Sequence, residues 1–232
     1  MSGSIEIFPI NGIGEVAAGD DVAGILWSAL QPNGLAEGDI VVVTHKIVSK
    51  AEGKVAPAGT EAEYRAAVEA EAAAIIRRRG DLVITKTKHG FICANAGVDR
   101  SNIDGDRIVL LPDRPDRSAA TIKARLEAHS GATLAVVISD TFGRSWRRGL
   151  TDVAIGVAGI APIEDLRGTK DMHGRILEVS EIAIVDEIAA AADLVMGKST
   201  GIPAAVVRGL HWVPGQGRAT DLVRPPHEDM FR

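Results

Sequence analysis

"TLAVVISDTFGRSWRRGLTD", residues 133–152, sets an apolar run directly against the densest polar constellation of the chain. Leu134 to Ile138 is continuously apolar and rich in β-branched side chains, which reads as a buried strand. At its C-terminal end come Asp140, Thr141, Arg144, Arg147 and Arg148. Asp140 and Thr141 are expected to project from a sheet edge at a cleft mouth, where ligands often bind. A carboxylate beside a hydroxyl suits Mg2+ or Mn2+, ions that keep several waters and bridge to phosphates. The arginines are planar donors fit for phosphate or carboxylate. Taken locally, the same residues also fit a turn capped by Asp140 and a solvated arginine face.

Working outward, the neighbouring segments mix helices and strands. "GDDVAGILWSAL" (19–30) places Val22, Ile25, Leu26 and Leu30 at helical spacing, and "GDIVVVTHKIVS" (38–49) reads as a buried strand. "EAEYRAAVEAEAAAIIRRRG" (61–80) has early acids, late arginines and a closing glycine, which predicts one helix ending at Gly80. Strands follow at 82–85 and 107–111, then a helix over 118–131 with Ser118 as N-cap. A helix over 181–196 and a strand near 204–207 complete the pattern, and the polar, proline-bearing tail "RPPHEDMFR" (224–232) should run over the surface. Adjacent strands and irregular alternation predict an α+β fold, mixed sheets with flanking helices, over a regular βαβ winding.

"DLVMGKST" (193–200) ends like a P-loop, but the glycine that motif needs is Ala192. A P-loop also runs strand, glycine, helix, whereas here an alanine-rich helix ends at Gly197 and a strand follows. Gly197 therefore reads as a helix C-cap with Lys198 beside the negative helix end.

Composition excludes several classes. Hydrophobic residues make up 46% and charged residues 25% of 232, an ordinary globular balance. Aromatics are only 3%, so the core must be built from Ala, Val, Ile and Leu. A net charge of −5 gives no sign of a nucleic-acid surface. The single cysteine, Cys93, forbids an internal disulfide and suits a reducing cytoplasm. "MSGSIEIFPI" lacks the marks of a signal peptide, and the longest apolar run, 153–163, is too short for a bilayer and contains Pro162. The expectation is a cytoplasmic protein with no membrane partner. The histidines show no metal-like spacing with Cys93, and no G-x-S-x-G elbow is present, so zinc or covalent hydrolase chemistry has little support.

Two further clusters carry candidate chemistry. In "HGFICANAGVDRSN" (89–102), Ala94, Ala96 and Gly97 form a small-residue stretch that admits close approach of a ligand. Asp99 is a candidate hard-cation ligand and Asn102 a candidate partner for a base or sugar, although "GVDRSN" also fits a plain polar turn. In "THKIVSKAEGK" (44–54), Lys46 and Lys50 sit where an ammonium meets a polyphosphate or solvent, and His45 titrates near neutral pH or serves the core.

Together and in this order, "GDDVAGIL", "DIVVVTHKIVSKAEGK", "HGFICANAGVDRSN", "ISDTFGRSWRRGLTDVAIGVAGI", "DEIAAAADLVMGK" and "GIPAAVVRG" resemble the coenzyme F420-0:γ-glutamyl ligases. The match extends from about residue 5 to 210. The resemblance implies a GTP-dependent acid–amino-acid ligase of coenzyme F420 biosynthesis. Such enzymes phosphorylate the carboxylate of coenzyme F420-0 with GTP, and the amine of L-glutamate then attacks the acyl phosphate. It also implies two intimately associated subdomains, an intertwined homodimer, two Mg2+ or Mn2+ ions per subunit and a monovalent cation such as K+. The whole of 1–232 is expected to be one catalytic unit, without the C-terminal flavin-binding domain of some relatives. Carried over by position, Asp99 and Asp140 are ligands of one metal and Thr141 contributes to a second. Ile13, Gly14, Glu15, Val16, His45, Lys50 and Asn102 fall at the nucleotide. Three positions depart from the family pattern. His45 stands where a small hydroxyl residue is frequent, Gly14 replaces a proline, and Leu150 replaces a glutamine before "TD". The residues alone also admit a metal-dependent phosphoesterase using water as nucleophile, or a nucleotide-binding module without catalysis.

Overall fold

The most apolar segments of the chain form the centre of the molecule. In a computed structural model that describes residues 3–31, 33–103 and 105–230, the chain opens with strand β1 (Glu6–Pro9), helix α1 (Val22–Ala29), strand β2 (Ile40–Thr44) and helix α2 (His45–Ala51). Strand β3 (Val55–Pro57) and helix α3 (Glu61–Glu71) lead to strands β4 (Ala72–Arg79), β5 (Leu82–Thr87), β6 (Ile92–Ala94) and β7 (Arg107–Val109). Helix α4 (Pro115–Ser130) precedes the long pair β8 (Ala135–Arg144) and β9 (Arg147–Ala158). Short strands β10 (Glu164–Asp165) and β11 (Glu181–Ile182), helix α5 (Ile184–Met196) and strand β12 (Ala204–Arg208) complete the order. The fold is α+β, as expected.

Five strands make the main sheet in the order β1-β12-β2-β8-β9. Strands β2 and β8 are parallel, while the other neighbours are antiparallel. Ile40 to Val43 and Ala135 to Ile138 are wholly buried. Successive strand residues point to opposite faces, so burial of every one means that both faces are covered. Helices α4 and α5 both pack on β9, and α1 packs on α4. A half-buried ion pair fastens this layer. Arg208, at the end of β12, donates to both oxygens of the fully buried Asp39 at 2.8 and 2.7 Å. Close packing also fixes Gly156 on β9, because a Cβ there would lie 2.6 Å from the backbone of Pro115 at the start of α4. A second, smaller core gathers Ala58, Val68, Ala96, Val98 and Ile108 beside the sheet β4-β5-β6.

Four sequence expectations need correction. The strand read over 38–49 stops at Thr44, and His45–Ala51 is helical. Helical winding buries Ile47 and Val48 and places Lys46 and Lys50 one turn apart on one face, so packing overrides local β-propensity. The helix read over 61–80 ends at Glu71, although its start is firm, with a Thr60/Glu63 capping box. Residues 72–79 instead form β4, because a tight turn at Gly80 lets Ile75 and its neighbours pair with β5. Helix α4 begins at Pro115, which occupies the first turn where proline is favoured, and Ser118 lies inside it. The strand expected to end at Ser139 continues to Arg144, so Asp140 and Thr141 are strand residues within the β8–β9 pair. Arg144, Arg147 and Arg148 at its tip are exposed.

Helix α5 does end at Gly197, with φ of 62°, and strand β12 follows, as the C-cap reading requires. Residues 224–228 are exposed, and Phe231 and Arg232 lie outside the described residues. No helix of the described residues is long and apolar enough to cross a membrane.

Candidate functional site

Strands β2 and β8 run parallel with Thr44 opposite Ser139, and the C-terminal end of this paired segment opens on one cleft. Crevices at the carboxyl ends of parallel strands are where ligands of open sheets bind. The cleft has a volume of about 490 Å3. Its walls are the turn Ile13–Glu15, the face of α2 that carries Lys46 and Lys50, Asn102, the pair Thr141 and Asp152, and the end of α5 with Asp193 and Lys198. Cavities of about 580 and 770 Å3 lie against α4. In the first of these, Arg125 pairs with Asp21 and Lys54 with Asp113, both at 2.5 Å. Volume therefore does not choose the site; its place at the ends of the paired parallel strands does.

Lys50 is the hub of one wall. Its side chain is mostly buried, and Nζ donates to Glu15 Oε1 at 2.5 Å and to the carbonyl of Asn102 at 2.9 Å. Asn102, held in a left-handed conformation with φ of 56°, donates from Nδ2 to the carbonyl of Lys198 at 3.4 Å. One ammonium thus draws together the N-terminal turn, the 99–102 loop and the loop after α5. These segments contain most of the residues expected at a nucleotide.

The acidic residues divide between neighbouring positions of α2. Asp99 Oδ2 lies 2.9 Å from Lys46 Nζ, and Asp140 Oδ1 lies 3.3 Å from His45 Nε2 without hydrogen-bond geometry. Burial pushes the Asp99 carboxyl up, but the Lys46 ammonium and the Ser101 N–H and hydroxyl outweigh it and hold the group below its usual range. A depressed folded value means that Asp99 contributes stability at neutral pH and loses it as pH falls through that value. Asp140 also accepts the N–H of Thr141 at 2.7 Å. On the opposite face of β8, Ser139 and Thr141 donate their hydroxyls to Asp152 at 2.8 and 2.6 Å.

The structure therefore gathers Ile13, Gly14, Glu15, Lys50, Asn102 and Thr141 around the cleft. It does not bring Val16 or His45 to the surface. Val16 is buried in the main core, and His45 is wholly buried with Nδ1 3.4 Å from Ser49 Oγ. The small-residue stretch at Gly97 also serves the core, since a Cβ there would sit 2.8 Å from the Leu111 side chain. Lys46, read from the sequence beside Lys50 as an ammonium for a polyphosphate or solvent, lines the cleft, and Asp152, Asp193 and Lys198 join it without having been singled out as site residues. Lys46 carries a readable signal, being one helical turn from Lys50. Asp152 faces Thr141 through the β8–β9 register, which sequence spacing does not reveal.

Among the described residues, no three or more His, Cys, Asp or Glu side chains converge on one point. Carboxylates and a hydroxyl are donor types that a hard cation accepts while completing its shell with water and phosphate oxygens. Of the three residues expected at metals, Thr141 lines the cleft, whereas Asp99, paired with Lys46, and Asp140, beside His45, are not among its lining residues. Burial, with the Asp140 charge adding to it, pushes the Cys93 thiol up to about 12, which leaves it inert as a nucleophile. His89 is bonded to the carbonyl of Pro112 at 2.9 Å and stacked on Phe91, a structural role.

With this geometry in place, comparison with known proteins adds a consistent finding. A model of the family described as F420-0:Gamma-glutamyl ligase matches residues 12–209. The chain is 41% identical to a coenzyme F420:L-glutamate ligase of Methanothermobacter thermautotrophicus, over 98% of this chain and 99% of that one. It is 40% identical to the enzyme of the same name from Methanocaldococcus jannaschii, over 84% and 85% of the two chains. With that of Archaeoglobus fulgidus it shares 37% identity over 98% and 96%.

Proposed function

The chain belongs to the F420-0:gamma-glutamyl ligase family, and from that membership we propose that it joins L-glutamate to coenzyme F420-0, with GTP as the activating co-substrate. The observation that carries the reading is one cleft in which Lys46, Lys50 and Lys198 face the pair Asp152 and Asp193. Cationic groups suit the phosphates and the substrate carboxylate, while carboxylates suit an incoming ammonium.

An unactivated carboxylate does not acylate an amine. In the proposed route the substrate carboxylate oxygen attacks the γ-phosphorus of GTP, and the bond to the β-phosphate oxygen breaks, giving an acyl phosphate and GDP. The glutamate nitrogen then attacks the carbonyl carbon, the carbon–oxygen bond to phosphate breaks, and the amine gives up a proton. The lysines draw the anions together and hold them in line, and this positioning with charge stabilisation supplies most of the rate. Asp99 and Asp140 would hold one divalent ion and Thr141 would contribute to a second; such ions neutralise phosphate charge. A K+ requirement is part of the same proposal. No protein nucleophile takes part, in keeping with the buried Cys93.

The test mixes purified protein with F420-0, L-glutamate, GTP and Mg2+ or Mn2+, and follows products by mass spectrometry. A gain of one or more glutamyl units that requires both GTP and metal is expected. GTP hydrolysis at a rate indifferent to glutamate, with no mass gain, would replace the ligase by a metal-dependent phosphoesterase. GTP binding without any turnover would leave a nucleotide-binding module.

We further infer a homodimer. Ile75 and Ile76 on β4, and Trp146 and Leu150 at the β8–β9 tip, are all exposed, with Trp146 at 78%. Apolar side chains presented on two projecting hairpins are surfaces that a second copy would cover. Light scattering is expected to give twice the chain mass, and a monomer at micromolar concentration would overturn the inference.

A further inference from the structure

Two carboxylates line the cleft near the end of α5, and they are not equivalent. Both oxygens of Asp152 are occupied, one by the Ser139 hydroxyl and one by that of Thr141. The side chain of Asp193, in the last turn of α5, makes no hydrogen bond or ion pair among the described residues, yet it lines the same cleft. The other acids around the cleft are also engaged, Asp99 by Lys46 and Glu15 by Lys50. Asp193 is thus the one cleft-lining carboxylate among the described residues left open for a ligand.

The charged groups that face it define what that ligand carries. Asp152 stands on β9 and Lys198 beyond α5, while Lys46 and Lys50 on α2 and Glu15 on the N-terminal turn complete the walls. An anionic group is drawn to the lysines and repelled by Asp152 and Asp193, so a cationic group belongs at the Asp193 end. We propose that Asp193 receives the α-ammonium of the incoming amino acid and accepts the proton that this amine must lose. The proposal rests on the ligase reading above. The nitrogen lone pair so released forms the bond to the acyl carbon, phosphate departs with the electrons of the carbon–oxygen bond and takes up the second nitrogen proton, and the first proton resides on Asp193 Oδ until solvent removes it. Burial, together with the charge of Asp152, raises the Asp193 carboxyl above its usual range despite Lys198, which favours this acceptance. Two neighbouring carboxylates with different surroundings take different roles.

The experiment compares wild type, Asp193→Asn and Asp193→Glu as full-length proteins, with L-glutamate varied at saturating F420-0, GTP and Mg2+. GTP affinity is measured separately by calorimetry. Asp193→Asn is expected to lower kcat/KM for glutamate by roughly 10- to 100-fold, with GTP affinity unchanged and much of the loss recovered in Asp193→Glu. Hydroxylamine, an amine already neutral near pH 7, bypasses the proton transfer, so hydroxamate formation should proceed equally in wild type and Asp193→Asn. Glutamate kinetics within twofold of wild type, or parallel losses of GTP affinity and hydroxamate formation, would overturn the assignment. Failure of the ligase reading is seen separately, as wild type that forms no glutamylated product, and the assignment falls with it.

Discussion

Asp140→Asn is expected to fold normally and to form glutamylated product at least about 10^3-fold more slowly than wild type. The substitution keeps the size of the side chain and removes its charge. Asn can still accept the Thr141 N–H that now binds Asp140 Oδ1 at 2.7 Å. The same oxygen lies 3.3 Å from His45 Nε2, a buried ring nitrogen that has no hydrogen-bond partner. The amide oxygen of Asn can occupy that place and keep the Thr141 bond, so the fold loses little. What disappears is the negative charge at Asp140 within β8, beside the strand-mate Thr141. If Asp140 holds a divalent ion against the phosphates, no neutral side chain replaces that charge. The check has two arms, product by mass spectrometry and melting by circular dichroism. A melting temperature within a few degrees of wild type together with lost turnover is the expected pair. Full activity would remove Asp140 from the metal assignment, and a collapsed melting temperature would make its role structural.

How far the sequence leads depends on whether a residue's job is local. Ile40–Val43 and Ala135–Ile138 announce themselves because strands buried on both faces are unbroken apolar runs rich in β-branched residues, and both lie at the centre of the sheet. Gly197 is legible because ending a helix is decided by the residue itself. Local signals mislead where a remote partner decides. "AEAAAIIRRR" favours a helix alone, yet Ala72–Arg79 pairs with β5 and becomes strand. "HKIVSKA" follows a β-branched strand and carries Ile47 and Val48, yet coiling it buries these two and turns Lys46 and Lys50 toward the cleft. The candidate site divides in the same way. Asp140, Thr141, Lys50 and Asn102 stand in compact motifs, whereas Asp152 and Asp193 matter only through a cross-strand register and the arrival of α5 at the cleft. Lys198 was visible in "GKST" but carries no P-loop meaning there. It reaches the cleft because the chain turns at Gly197.

Lys50→Ala is expected to weaken GTP binding by about 100-fold while leaving the protein folded. A hydrogen bond to a charged group contributes about 1.5–3 kcal/mol, which spans that factor. An ammonium has three donors. Lys50 directs one to Glu15 Oε1 and one to the Asn102 carbonyl, so one remains for a phosphate oxygen. The structural cost of removing it is small on the Glu15 side, because that carboxylate is largely exposed and returns to water. The loss therefore falls on the ligand, through the missing charge and through the loosened turn Ile13–Glu15. A pair of companion variants separates these two causes. Lys50→Arg keeps the charge and should retain binding if charge dominates. Glu15→Gln removes the anion that competes with phosphate for Lys50, and should bind GTP as well as wild type or more tightly. Calorimetry on the three variants decides. Wild-type affinity in Lys50→Ala would show that the phosphates lie away from α2, and the nucleotide would then have to be sought elsewhere in the cleft. Weakening in Glu15→Gln equal to that in Lys50→Ala would instead mean that the N-terminal turn, held by the ion pair, is what grips the nucleotide.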